Sequence, residues 1–303
     1  MTNPHPIDLI IPVKSLSEAK TRLRGAVDGG TGKMNAHKRL VLAIVLDTVC
    51  AALRARAVDS VLVVTPDPVV ARSVERLGAR VLGNEPAGGV NSALNHGAAL
   101  LERERPGRVV GALLADLPAL RHRELSAFIS AADGRRAYCA DRDGKGTTLL
   151  LSAAGEGLFP AFGIGSALAH QASGAIALEG EWTSLRSDVD TASDLRTVRG
   201  LGFGARMAAL GSAREFAFLD KHEAAMIDFA RRWQPFGGGT ADDIFITFGV
   251  PPRPYFKQLT ALLSSNVTPE LAQSQREKLL RQAKLRLAEE DRITRIPRLQ
   301  SQR

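Results

Sequence analysis

Cysteine is scarce in this chain of 303 residues, which contains only Cys50 and Cys139. The two are not spaced as a metal-binding or redox pair, and each lies in an apolar segment, so buried free thiols are expected. Free thiols suit a reducing cytosol. Aromatic residues make up only 5% of the sequence, which predicts cores built from Leu, Val, Ile and Ala.

Long hydrophobic runs are also missing. No apolar stretch reaches the ~18 residues that a membrane span requires. The N-terminus, MTNPHPIDLIIPVK, lacks the basic and apolar regions of a signal peptide. We therefore expect a cytoplasmic protein with no membrane partner. The six histidines form no H-E-x-x-H pattern and no G-x-S-x-G elbow occurs, which argues against a histidine-bound metal and a serine hydrolase.

Acidic residues are outnumbered, at 32 Asp and Glu against 40 Lys and Arg, which gives a net charge of +8. This balance favours anionic partners such as nucleotides, phosphorylated acids or nucleic acid. A solvated basic surface explains the same balance equally well. The length predicts one large domain and one smaller domain.

Strand-like and helix-like segments alternate through the first two-thirds of the chain. The apolar runs are continuous, which is typical of a parallel sheet covered on both faces, and the interpretation is a doubly wound α/β fold with a mainly parallel sheet. Ligands bind such sheets outside the carboxyl ends of the strands. The strands are predicted at 8–13, 60–65, 80–82 and 109–115, with helices at 34–56 and 89–105.

Three carboxylates follow extended segments. Asp116 ends an apolar strand in ALLADLPAL, and Asp188 and Asp190 lie in SDVDTASDL. Residues i and i+2 of an extended segment point the same way, so Asp188 and Asp190 can face one site. Three such carboxylates suit Mg²⁺, which in turn bridges phosphate oxygens. The alternative is local: Asp190 could cap a helix beginning near Thr191.

Three further segments carry candidate ligand-binding residues. The loop PVKSLSEAKTRL places Lys14, Lys20 and Arg22 where phosphates could bind, although it is not a Walker A sequence. The second segment is a glycine turn, which permits the close approach of a flat ligand and is followed by a side-chain amide that could bond to the edge of a base. The third segment contains another turn, which could present N–H groups to a phosphate or carboxylate. Ordinary βα and glycine turns are the alternatives. The candidates are Gly88, Gly89 and Asn91 in the first turn, and Thr148, Gly163 and Ser166 around the second.

The pattern changes near Gly200, beyond which βα alternation stops. From Pro251 onward there are 11 Lys and Arg against 5 Asp and Glu, which makes a basic tail. Helices are predicted at 218–233, 241–248, 252–263 and 276–292. The expected division is an α/β domain at 1–205, a linker at 206–217 and a helical domain at 218–303.

Five motifs, taken together and in order, resemble the guanylyltransferases of coenzyme F-420 biosynthesis across about Ile7 to Gly200. They are IPVKSLSEAKTRL, ADLPAL, GKGTTLLLS, FGIGSALAH and DVDTASDL. The resemblance implies a nucleotide-diphospho-sugar transferase-like, Rossmann-like fold. It also implies transfer of GMP from GTP to the phosphate of phosphoenolpyruvate or 2-phospho-L-lactate, with release of pyrophosphate.

The same resemblance implies roles for individual residues. Mg²⁺ would be bound by Asp116, Asp188 and Asp190, and the three-carbon acid by Thr148, Gly163 and Ser166. Because such a transfer depends on positioning and charge neutralisation, we expect Lys14 and Lys20 to hold the leaving pyrophosphate and to be catalytic together with Asp116 and Asp188.

The C-terminal segment resembles a small helix-turn-helix-like domain of actinobacterial proteins. Arg253 and Lys257 fall on its second helix, which could enter a DNA groove. A packing or oligomerisation module explains the pattern as well, so a DNA partner, a protein partner and an oligomer all stay open. Two other functions are also compatible with the sequence: a nucleotidyltransferase with a different phosphorylated acceptor, and a nucleotide-sensing DNA-binding regulator.

Overall fold

The computed structural model describes residues 7–27, 32–83, 88–212, 221–264 and 273–295. It contains two compact units. The first holds the described residues up to Leu23 and from Met34 to Ser212; the second holds those from Arg24 to Lys33 and from Lys221 onward. The elements of the first unit, in chain order, are β1 (Ile7–Pro12), α1 (Met34–Leu53), β2 (Val58–Val64), α2 (Pro68–Glu75), β3 (Arg80–Leu82), α3 (Val90–Glu104), β4 (Val109–Leu113), α4 (His122–Ala132), β5 (Ala137–Ala140), β6 (Thr147–Leu151), α5 (Ser166–Ala172), β7 (Ile176–Ala177), α6 (Ala192–Arg199) and α7 (Ala205–Ser212).

The seven strands form one sheet in the order β3-β2-β1-β4-β6-β5-β7. All neighbours pair in parallel except at β6, which is antiparallel to both β4 and β5. The prediction of a mainly parallel, doubly wound sheet is confirmed. Because β6 runs the other way, it begins at the edge where β4 ends, and the Leu114 N–H donates to the Thr148 carbonyl at 2.9 Å.

Helices cover both faces of this sheet. On β1, Leu9 and Ile11 pack into the core that contains α1 and α4, whereas Ile10 packs into the core beneath α3. All three side chains are fully buried, which explains why the strand is continuously apolar rather than alternating. Gly97 lets α3 lie close to the sheet, because a Cβ there would come within 3.0 Å of Ile10 Cγ2.

Part of the stretch expected to be a linker is instead a helix of the first unit, since α7 spans Ala205–Ser212. Asp47 of α1, only 5% exposed, accepts the N–H groups of Arg206 at 3.1 Å and Met207 at 2.8 Å. Met207 is fully buried. The glycines around this segment suggested a linker, but a carboxylate some 160 residues away satisfies the first N–H groups of the helix, which a local sequence pattern does not reveal.

Replacing Asp47 with Ala should therefore destabilise the first unit by about 1–3 kcal/mol, because one buried and one partly buried N–H group lose their acceptor. The measurement is urea unfolding followed by fluorescence of Trp182, which packs on Phe128 in this unit, in a Trp233→Phe background. Asp47→Asn keeps an acceptor oxygen and should lose less. Equal stability of the Ala variant and the parent would contradict the capping role.

The second unit contains the helices α8 (Lys221–Trp233), α9 (Ala241–Phe248), α10 (Pro252–Ser264) and α11 (Gln273–Arg295). Its core concentrates the few aromatic side chains: the Tyr255 ring lies 5.0 Å from Phe248 and 5.6 Å from Phe229. The Arg253 Nε pairs with Asp291 Oδ1 of α11 at 2.7 Å, so this expected DNA-contacting side chain makes an ion pair within the unit. No described helix combines the length and apolarity needed to cross a membrane.

Candidate active site

Three carboxylates converge just beyond the end of β4. Asp116 follows the strand by three residues, and its carbonyl accepts the Val189 N–H at 3.0 Å, which lays the segment 188–190 beside it. One oxygen each from Asp116, Asp188 and Asp190 lies within 4.8 Å of the others. The structure thus brings together the three residues that the sequence proposed as metal ligands.

The side chain of Asp190 does not cap the following helix, which was the local alternative. Thr191 is the N-cap of α6 and forms a capping box with Asp194, whose Oδ2 accepts the N–H groups of Thr191 at 2.8 Å and Asp190 at 3.1 Å. Helix α6 therefore orients the backbone of Asp190 and leaves its carboxylate at the cluster.

Lys20 lies inside this cluster. Its Nζ bonds to Oδ2 of Asp116 and to Oδ1 of Asp190. Burial opposes the charge of this lysine, but the two carboxylates outweigh burial and raise the pKa of Lys20 above its usual value. The other oxygen of Asp116, Oδ1, is buried and has no hydrogen-bond partner among the described residues. That oxygen is available to a cation.

The pKa of Asp188 reflects the concentration of negative charge in the site. Burial, reinforced by the negative charge of Asp116, raises the pKa of Asp188 to about 7. Lys20 lowers this pKa without cancelling the effect. Each of three carboxylates at this separation disfavours ionisation of the others, so a cation bound among them would stabilise the ionised forms, and an all-oxygen donor set is what Mg²⁺ prefers. The residues present fit a divalent cation.

Two side chains of helix α1 bond to the backbone next to Asp116 and next to Lys20. The Thr48 Oγ1 lies 3.1 Å from the Ala115 carbonyl and accepts the Leu117 N–H at 3.1 Å, so it bonds on either side of Asp116. The His37 Nε2 lies 2.9 Å from the Ala19 carbonyl, next to Lys20. Thr48 falls within the helix predicted at 34–56, and the signal that the sequence offers for its role is a hydroxyl among apolar residues of that helix.

A cavity of about 390 Å³ opens at the cluster. Asp116 and Asp190 line it together with side chains of the basic loop, so the loop proposed for phosphates and two of the three proposed metal ligands face the same space. Its volume lies in the range of small-molecule sites. The polar and charged side chains that line it are Lys14, Glu18, Lys20, Thr21, Arg22, Asp116 and Asp190.

The first glycine turn leads into α3 beside this cavity, where Val90 contributes to the lining. Gly88 and Gly89 have φ angles of 135° and 79°, a backbone conformation that favours glycine. Asn91, proposed to contact a base, bonds instead to the backbone of Phe162 through its Nδ2 and Oδ1. Residues 84–87, which precede this turn in the sequence, lie outside the described residues.

The residues proposed for the acid lie at the edge where β6 begins. Thr148 is 1% exposed and its hydroxyl points to the Cys139 carbonyl at 3.5 Å. Ser166 is also buried, and its N–H donates to the Gly163 carbonyl at 3.1 Å. Gly163 is exposed, with a φ of 143°. Of these groups, the turn at Gly163 is the one that faces solvent.

His170 supports this turn, a role that sequence reasoning missed. Its Nε2 accepts the Ala161 N–H at 3.0 Å, and its Nδ1 lies 2.9 Å from Thr147 Oγ1. Burial, with a contribution from Arg136, lowers the pKa of His170 to about 4. The ring is therefore neutral near pH 7 and its Nδ1 donates to Thr147, since Nε2 already accepts.

Comparison with known proteins agrees with this geometry. Residues 38–187 match the family of MobA-like NTP transferase domains. A phosphoenolpyruvate guanylyltransferase from Geodermatophilus obscurus is 53% identical over 209 residues, which cover 68% of this chain and 95% of that protein. The enzyme of the same name from Streptomyces scabiei is 49% identical over 207 residues, covering 66% and 94%.

The fold has a counterpart among solved structures. A protein from Desulfovibrio desulfuricans G20, named as a nucleotide-diphospho-sugar transferase, superposes with a TM-score of 0.50 at 17% identity. The match covers 68% of this chain and 94% of that one, and it supports the fold alone. The sequence identities of 53% and 49% show that the chain belongs to the phosphoenolpyruvate guanylyltransferase family and is a nucleotidyltransferase.

Proposed function

We propose that this protein transfers GMP from GTP to the phosphate of phosphoenolpyruvate and releases pyrophosphate, with Mg²⁺ as cofactor, in coenzyme F-420 biosynthesis. 2-Phospho-L-lactate is the alternative acceptor, because it presents the same carboxylate and phosphate. The observation that carries the proposal is the carboxylate cluster of Asp116, Asp188 and Asp190, joined by Lys20 in a cavity lined by the basic loop.

The reaction requires little covalent help from the protein. An oxygen of the acceptor phosphate forms a bond to the α-phosphorus of GTP, and the bond from that phosphorus to the bridging oxygen of the β-phosphate breaks. Positioning and charge neutralisation supply the rate. Mg²⁺ bound by Asp116, Asp188 and Asp190 would neutralise the phosphate oxygens. Lys14 and Lys20 hold the pyrophosphate as it leaves.

The two substrates are assigned to two different turns near the end of β4, where the carboxylate cluster lies. The acceptor is assigned to the turn of Gly163 and Ser166 beside Thr148, where Gly163 is the part of the turn that is exposed to solvent. Guanine lies against Gly88 and Gly89, where the absence of a side chain permits close approach. Support comes from the sheet, since β6 begins where β4 ends and Asn91 ties the start of α3 to Phe162.

Incubation with GTP, Mg²⁺ and each acid separately, with mass detection of the product, tests the proposal. The expected result is a guanylylated acid and one pyrophosphate per turnover, with none when Mg²⁺ is withheld. If neither acid yields product but a different phosphorylated acceptor does, the protein is a nucleotidyltransferase with that other acceptor. Salt-sensitive binding to duplex DNA that persists after Asp116 and Asp188 are replaced would favour the regulator.

A further inference from the structure

We infer that Asn91 is a positioning residue that joins the nucleotide side of the site to the acceptor side, an inference that rests on the proposed function. Asn91 is the second residue of α3, directly after Gly88, Gly89 and Val90. Its side chain reaches Phe162, which is 71 positions away in the sequence and immediately precedes Gly163.

The contact is a two-point clamp on one residue. The Asn91 Nδ2 donates to the Phe162 carbonyl at 2.9 Å, and its Oδ1 accepts the Phe162 N–H at 2.8 Å. A single hydrogen bond fixes a distance, whereas two antiparallel bonds to the same residue also fix its orientation. Among the common side chains, an amide of this length offers the required donor and acceptor together.

A second side chain, His170 of α5, supports the same loop. His170 accepts the Ala161 N–H at 3.0 Å, and the Phe162 ring packs edge-on against the His170 ring with centroids 5.0 Å apart. Phe162 itself is only 8% exposed. Residues 161 and 162 are thus held by side chains from two helices, and the exposed turn at Gly163 begins where this support ends.

This arrangement has a consequence for substrate binding. The glycines assigned to guanine precede Asn91 on the same stretch of chain, and the turn assigned to the acid follows Phe162. A change at either turn acts on the other through one side chain, and by linkage the effect on binding is reciprocal. Asn91 touches neither reacting phosphate in this scheme; it acts through the backbone of Phe162.

The first test is steady-state kinetics of Asn91→Leu, which preserves the size of the side chain but removes both hydrogen bonds. Losing two partly buried hydrogen bonds should raise KM for the acceptor acid about tenfold, whereas KM for GTP changes less than about threefold. Asn91→Asp, which cannot donate to the Phe162 carbonyl, should change KM in the same direction. Asn95→Leu, at an exposed position one turn along α3, is the control and should match the parent.

A merely structural role would lower the fraction of active enzyme, and so kcat, without changing either KM. An unchanged acceptor KM in Asn91→Leu would overturn the inference.

The second test uses the protein without substrates, so that it separates this inference from the proposed function. Hydrogen exchange of the amides of residues 161–166 should accelerate about tenfold in Asn91→Leu and stay unchanged in Asn95→Leu. If the parent enzyme transfers no GMP, the proposed function fails, and the exchange result alone decides whether Asn91 positions the loop. Unchanged exchange in Asn91→Leu would rule out the clamp.

Discussion

Replacing Asp188 with Ala should abolish formation of product from GTP and phosphoenolpyruvate, with a loss of about 10³-fold or more in kcat. One of three converging carboxylates is removed, and the two that stay, Asp116 and Asp190, are already bonded to Lys20. A cation held by only two shared ligands would bind weakly and in the wrong place relative to the triphosphate. Single-turnover assays at saturating Mg²⁺ measure this loss.

The fold of the Asp188 variant should be intact, for an electrostatic reason. Burial and Asp116 raise the pKa of Asp188 from its ordinary value of about 3.9 to about 7. Stability of the metal-free protein is therefore lost as the pH rises between these two values, and the full loss is present above about pH 7. Asp188→Asn should consequently melt at the same temperature as the parent, or higher, at pH 8 without Mg²⁺. Added Mg²⁺ should raise Tm of the parent only.

Asp143→Asn, at an exposed carboxylate outside the cluster, serves as the control for Asp188 and should behave as the parent does. Undiminished turnover by Asp188→Ala, or an Mg²⁺-dependent rise in Tm that survives the substitution, would refute the assignment of the metal ligands.

Replacing Lys20 with Met should have two opposite effects. Turnover should fall about 10²–10³-fold, because the positive charge that holds pyrophosphate is lost from a site where charge carries the rate. Affinity for Mn²⁺, used as a probe for Mg²⁺, should rise several-fold, because the Lys20 ammonium competes with a divalent cation for oxygens of Asp116 and Asp190. Calorimetry with Mn²⁺ and kinetic assays measure the two effects on the same preparation.

Lys14→Met is the matched comparison. Lys14 lines the same cavity, yet no ion pair connects it to a carboxylate among the described residues. Its replacement should reduce turnover without altering Mn²⁺ affinity. If Lys20→Met weakened Mn²⁺ binding, or left turnover unchanged, the lysine would have a structural role in the cluster and not the one proposed.

Much of the fold and part of the site can be predicted from local pattern alone. Continuous apolar runs between amphipathic helices determine a sheet buried on both faces, and ligand-binding groups then follow the strands. Asp116 is predicted in this way because it directly follows the apolar segment 109–115, and Asp188 and Asp190 are predicted by their spacing. These features depend on residues that are neighbours in sequence, so a local pattern records them.

Only the tertiary structure decides which distant residues meet. The reversal of β6, the insertion of Lys20 between Asp116 and Asp190, and the capping of α7 by Asp47 depend on contacts between segments far apart in the chain. The sequence shows Asp190 as a candidate cap, and only the packing of α6 shows that Thr191 and Asp194 take that role. A contact made by a single side chain gives no periodic pattern in the sequence, because the folded backbone, and not the neighbouring residues, determines which partner the side chain meets.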